Sequence, residues 1–218
     1  MIQSEALSRL RSLLNESTAG YYTDAELYQY LDSGMNIAIQ LYLAKMEQAR
    51  ADDKYKGSIA LQPLHTLDPL NTTTVAVPPA EYALPADFLI TDYCEYAIDD
   101  RDLVIYPAVL TDYNRWKFLS QNSFQGFSTT NPGYYIRGDK LGFTETIVHG
   151  GASCYTHYYY KKPTAITSSS ASSEIPTKLE THEGIILLAY YLALMKDNRP
   201  QEATQEYTKA IGILNQLY

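Results

Sequence analysis

The stretch TDAELYQYLDSGMNIAIQLYLAKMEQAR, residues 23–50, decides how the rest of the chain is read. It opens with Thr23-Asp24-Ala25-Glu26. This is the capping-box pattern, with threonine at the N-cap and glutamate three residues on, each side chain satisfying the other's backbone amide. Leu27, Leu31, Met35, Ala38, Leu41 and Tyr42 then recur at three- and four-residue spacing, and Ile39, Leu43 and Met46 widen the stripe. That period belongs to a helix. An apolar stripe so broad predicts contact on more than one side. About 25 residues at 1.5 Å each give roughly 37 Å of helix, which needs partners along its length.

The partners are sought at both ends of the sequence. Upstream, Ser4 is the expected N-cap of a short helix carrying Leu7, Leu10 and Leu14, broken at residues 15–20. Downstream, residues 164–173 (TAITSSSASS) read as a low-complexity surface loop. It ends in Glu174-Ile175-Pro176, with proline suited to a helix start. A third helix is predicted over 178–196, with Leu179, Ile185, Ile186, Ala189, Leu192 and Ala193 inward. Asp197-Asn198-Arg199-Pro200 stops it. A fourth helix follows from about Glu202, with Ala203, Tyr207, Ala210, Leu214 and Leu217 on one face. Neither helix pair can bury its stripe alone, so the two ends are predicted to pack together.

Between them, eight of the ten prolines fall within residues 63–163, too many for helices. Strands are predicted at 73–77, 103–109, 134–137, 142–145 and 154–160, with Gly138-Asp139-Lys140 as a turn and a short helix at 110–119. The expected fold is α+β: a helical bundle formed by the N- and C-terminal helices, with a central antiparallel β insertion. The expected organisation is 1–57 for the first helices, 58–163 for the insertion, 164–175 for a Ser-rich linker and 176–218 for the closing helices.

Composition narrows the function. Among 218 residues, 17 Lys+Arg stand against 25 Asp+Glu, a formal charge of −8. That balance argues against a dedicated nucleic-acid binder, which carries a basic face, and against an anionic membrane surface as partner. The longest apolar run, residues 185–194 (IILLAYYLAL), falls short of the roughly 20 residues of a membrane-spanning helix. The opening MIQSEALSRLRSLL lacks the apolar core of a secretory signal. Cys94 and Cys154 form no disulfide framework and are expected as free thiols in a reducing compartment.

The sequence carries little chemistry. HExxH, CxxC, GxSxG and P-loop patterns are absent. His149-Gly150-Gly151 resembles an oxyanion loop without a nucleophile elbow and reads as a turn. His157, flanked by tyrosines, reads as sheet surface, since only Cys154 stands near it at ligand spacing. Asp99-Asp100-Arg101-Asp102 lacks the glycine and distal glutamate of an EF-hand. Cys94 reads as a buried thiol. Residues 23–43 could imitate a helix-turn-helix with its turn at Ser33-Gly34, but no basic residue precedes Lys45. No catalytic, cofactor-binding or metal-ligating residue is therefore assigned, and no enzymatic activity is expected. The anomaly is 21 tyrosines, which suit protein interfaces and, equally, a tyrosine-rich sheet surface.

The order of elements, together with YALPADFL (residues 82–89), Arg115-Trp116, NPGYYIRGDKLGF (131–143), YYYKKPTAI (158–166) and EIPTKLETHEGIILLAYYLALMKDN (174–198), resembles the head-to-tail adaptor (connector) proteins of tailed bacteriophages. One departure is Thr144, where the resemblance leads one to expect a proline after Phe143. The resemblance implies a structural virion protein in the neck between capsid and tail, present in the host cytoplasm during assembly. It implies a ring, dodecameric in the particle and expected as a monomer in isolation, that docks on the portal and extends the DNA channel. A downstream neck or tail protein would be the second partner. DNA would pass at genome ejection without specific binding, and neither cofactor nor membrane would be involved. The last helix supplies the portal-interface candidates Tyr207, Ile211, Leu214 and Leu217, whose other reading is bundle closure. Rival readings are another neck or tail protein (a stopper or tail-completion protein), a hydrolase using unmarked carboxylates such as Asp99 or Asp102, and a module recruiting a host protein through its tyrosines.

Overall fold

A computed structural model describes residues 1–16, 20–51, 60–70, 80–97, 105–111, 133–143 and 155–216. They form two compact units, Met1–Leu64 with Pro163–Tyr218, and His65–Lys162.

The first unit is helical: α1 (Gln3–Leu13), α2 (Asp24–Ala51), α3 (His182–Lys196) and α4 (Pro200–Asn215). Its centre is α3, which packs against the other three. Gly184 through Ala189 are buried without interruption, as are Ala193 and Leu194. A helix apolar on every side belongs in a core. α2 buries Leu27, Tyr28, Leu31, Met35, Ala38, Ile39, Tyr42 and Met46, so the broad stripe is real. It runs unbroken through Ser33-Gly34, which is no turn. A Cβ on Gly34 would stand 2.8 Å from the Ile185 carbonyl oxygen and 3.1 Å from the Ala189 nitrogen, so the glycine marks where α2 and α3 touch. Gly184 does the same for Leu214 of α4, at 2.7 Å.

The caps differ in detail from the sequence reading. Ser4 lies inside α1. The N-cap is Ile2, whose amide donates to Glu5 Oε2 at 3.1 Å. The amides of Gln3 and Ser4 reach the Ser173 and Ala171 carbonyls, each at 2.9 Å, so a serine cap is not needed. Thr23 Oγ1 accepts from Glu26 N at 3.3 Å, but the Glu26 carboxylate turns to Lys196 and Tyr30, which leaves half a capping box. α3 begins at His182 rather than 178. Residues Leu179–Thr181 form a 3-10 turn, and Leu179 is 63% exposed rather than inward. Thr181 Oγ1, donating to the Lys178 carbonyl, and His182 Nε2, donating to the Thr177 carbonyl, hold that turn. Asn15 (φ 59°) ends α1 and Asn198 (φ 56°) ends α3, both in the left-handed region that asparagine tolerates. Pro200 then starts α4. The Ser-rich stretch carries a short turn at Ser168–Ser170, and the Ile166 amide donates to Asp32 Oδ1 at 2.8 Å.

In the second unit the strands are β1 (His65–Leu70), β2 (Ala80–Ala83), β3 (Phe88–Ala97), β4 (Ile105–Leu110), β5 (Gly133–Arg137), β6 (Lys140–Phe143) and β7 (Tyr155–Lys161). They lie in one sheet in the order β1-β7-β3-β4-β5-β6-β2. The pairings are antiparallel, as expected, with one exception. β4 meets β5 in parallel over Val109↔Gly133 and Leu110↔Tyr134. The β5–β6 hairpin turns at Gly138 (φ +62°) and Asp139, the predicted site. Across it, the Tyr135 ring lies over Gly142, where a Cβ would come within 2.5 Å of it. β1, β2 and β3 were not expected. β3 carries register shifts between Phe88 and Ile90 and between Thr91 and Tyr93, which break the two-residue alternation that reveals a strand. β1 contains Pro69, tolerated because the strand order places β1 at an edge. The strand proposed at 73–77, residues 112–119 of the short helix, His149-Gly150-Gly151, Asp99–Asp102, Thr144, Cys154 and Leu217 lie outside the described residues.

Candidate interface surfaces

α4 presents two sides. Ala203, Ala210 and Leu214 are buried against α3, and the Leu214 carbonyl accepts from Tyr42 Oη at 3.2 Å. Leu214 therefore packs the bundle. Tyr207 is 37% exposed, with its ring 5.2 Å from Tyr191, and Ile211 is half-buried at the same margin. The outward side holds Gln201, Gln205, Thr208 and Gly212. Thr204 and Thr208 turn their hydroxyls back to the Pro200 and Thr204 carbonyls at 2.8 and 2.9 Å. No atom lies within 4 Å of a Cβ built on Gly212, so this glycine is not required by packing within the chain.

α2 has an outward face without charge. Between Glu26 and Lys45 its exposed residues are Gln29, Ser33, Asn36, Gln40 and Ala44, with Ile37 and Leu41 half-buried beside them. The one acid in that span, Asp32, caps the Ile166 amide. Solvent-facing helix surfaces ordinarily carry charged residues, and protein interfaces are depleted of them.

A third surface forms where the α1–α2 and α3–α4 connections meet. Arg11, almost buried, spans Asp24 Oδ1 (2.5 Å), Glu16 Oε2 (3.4 Å) and the Tyr22 carbonyl (3.2 Å). Tyr22 Oη lies 2.6 Å from Asp197 Oδ1 and 2.9 Å from the Ala193 carbonyl. Burial, then the Asp197 bond and charge, push its phenol far above the ordinary value. Lys196 Nζ sits 4.7 and 5.0 Å from the Tyr22 and Tyr21 ring centroids and 2.5 Å from Glu26 Oε1. The hydrogen bond to Glu26 raises the lysine pKa, and its Lys196 partner lowers that of Glu26. Tyr21 (65% exposed) and Met195 (48%) flank this cation–π pair. No sequence motif marks this cluster, because its members are brought together from positions 11–26 and 193–197 by packing.

The sheet has an aromatic face. Tyr93 stacks on Tyr158 at 4.3 Å and 13°, and Tyr158 on His65 at 6.0 Å and 14°. His65 Nε2 contacts Asp92 Oδ2 at 2.9 Å. Burial, then Glu95, push the Tyr93 phenol up to about 12. Thr91, Cys94 and His157 are buried. His157 is fully buried rather than on the sheet surface, because register pairs it with Cys94 on the inward side. It bonds Thr91 Oγ1 at 3.0 Å, and burial lowers its pKa to about 4. Cys94 is a buried thiol whose pKa burial raises, the opposite of what a nucleophile needs. Among the described residues no group of three or more His, Cys, Asp or Glu could hold a metal ion, and no helix is long and apolar enough to cross a membrane.

A comparison with curated proteins gave no match. The family model described as SU10 adaptor protein matches residues 4–218, nearly the whole sequence, and so covers both units. A helical bundle and a tyrosine-faced sheet suit that description. The chain belongs to the SU10 adaptor protein family, structural adaptors of phage particles.

Proposed function

We propose that the chain is the head-to-tail adaptor of its virion, a ring that docks on the portal, extends the DNA channel and offers its far side to the next neck or tail protein. The observation that carries this reading is the family match over residues 4–218. The surfaces support it. Subunits that each carry −8 meet best through faces free of like charge, and the outward side of α2 is such a face. Tyr207 and Ile211, at the exposed margin of α4, are the portal-facing candidates, with Leu217 beyond them. Leu214 serves the bundle. In a twelve-membered ring the charge totals on the order of −100, which disfavours adhesion of the DNA backbone and lets it slide.

Co-elution of the purified chain with the portal of the same particle tests the reading. The wild type is expected to co-elute. Tyr207→Ser combined with Ile211→Ser is expected to keep its helical circular-dichroism signal and to weaken the complex at least tenfold, about 1.4 kcal/mol. Absence of a complex would overturn the docking reading. Full binding by a folded double variant would move the contact off α4.

A further inference from the structure

Two segments distant in sequence are clasped together beside the start of α3. Ile2 bridges Glu174, the Gln3 and Ser4 amides donate to the Ser173 and Ala171 carbonyls, and the Ile175 amide donates to the Met1 carbonyl at 3.3 Å. Ser170 Oγ donates to Gln3 Oε1 at 2.7 Å. This clasp holds α1 by backbone hydrogen bonds. Ala6, Leu7 and Leu10 add α1's apolar contribution, a small one beside the α2–α3–α4 core.

His182 lies at this joint, 2% exposed. Its Nε2 is 2.9 Å from the Thr177 carbonyl oxygen. A carbonyl only accepts, so Nε2 carries the hydrogen and Nδ1 is a bare lone pair. Nδ1 is buried and has no hydrogen-bond partner. A proton arriving there would bury a positive charge at the start of a helix whose dipole already repels it. The groups facing the ring are the Met1 ammonium, Glu174, and the backbone of Ile175 and Thr177. Glu183, next on α3, is paired with Arg9 of α1 at 2.8 Å. Burial dominates and holds the imidazole below its ordinary pKa; the Met1 charge acts the same way, against Glu174 and the two backbone groups.

We propose that His182 is an acid-sensitive pin: a proton on its Nδ1 opens the joint between residues 1–5 and 170–177 and loosens the N-terminal end of α1, while α2, α3 and α4 stay packed. Above the unfolded histidine value, about 6.5, both states are neutral and the clasp is indifferent to pH. Below it the open state binds the proton more readily than the closed state, so the opening equilibrium rises as the pH falls, by at most about tenfold per pH unit.

Peptide-resolved hydrogen exchange on the full chain at pH 7.5, 6.5 and 5.5, corrected for intrinsic rates, tests this. Peptides covering 1–14 and 170–181 are expected to lose protection by up to about fivefold between pH 6.5 and 5.5, with residues 185–194 unchanged. His182→Gln, whose amide can still donate to the Thr177 carbonyl, is expected to remove the pH response whatever its basal protection. Clasp protection that ignores pH in the wild type overturns the proposal. So does an equal pH response in His182→Gln, or loss of protection that spreads uniformly into 185–194.

Discussion

Three helical glycines have three different environments, and they separate packing from propensity at the scale of single residues. At Gly34 an added methyl meets α3 backbone, which cannot swing aside. Gly34→Ala is therefore expected to destabilise the bundle by about 1–3 kcal/mol despite alanine's better helix propensity. Gly184 faces the flexible end of Leu214. Gly212 faces open space, and Gly212→Ala is expected to stabilise by about 1 kcal/mol. Thermal denaturation of the two alanine variants reads both signs. Tyr22→Phe removes a buried hydroxyl from Asp197 and the Ala193 carbonyl. It is expected to cost about 1.5–3 kcal/mol, the range for bonds to a charged group, in chemical denaturation. The sequence offered Ser33-Gly34 as a possible turn. The true reason for the glycine lies in α3, some 150 residues away, and no local pattern can display it.

At the scale of elements, the helices were legible because each apolar stripe sits between strong stop signals, Asn15 before α2 and Asn198-Arg199-Pro200 between α3 and α4. Their ends were less so. Ser4 and Leu179 were misplaced because backbone partners from residues 171–178 take over the capping. β3 was invisible because its register shifts break the alternation, and with β3 unseen the inward side of β7 was unknown. His157 was consequently read as surface. Its burial has a consequence for acid stability. The folded pKa of about 4 lies below the unfolded value. The sheet unit's stability should be flat above pH 6.5 and fall on the order of 3 kcal/mol as the pH drops to 4. Hydrogen exchange across Phe88–Ala97 and Tyr155–Lys161 reads this, and His157→Gln should flatten the slope. Among the interface candidates, the buried side of α4 was legible from its spacing. Which of Tyr207, Ile211 and Leu214 faces outward depends on how α4 lies against α3.

At the scale of the whole molecule, the chain combines a bundle built from sequence-distant helices with a sheet lying between them in sequence. The net charge makes its relation to DNA testable by itself. Binding to duplex DNA at moderate salt is expected to be negligible, and tight, strongly salt-dependent binding would contradict the sliding-channel reading. The central claim is one of place and copy number. It is tested most directly by quantitative mass spectrometry of purified virions, counting this chain against the portal protein. The account predicts equal copy numbers, with the chain retained in particles that hold both capsid and tail. Absence from the particle, or a copy number matching the capsid or the tail tube instead of the portal, would contradict it.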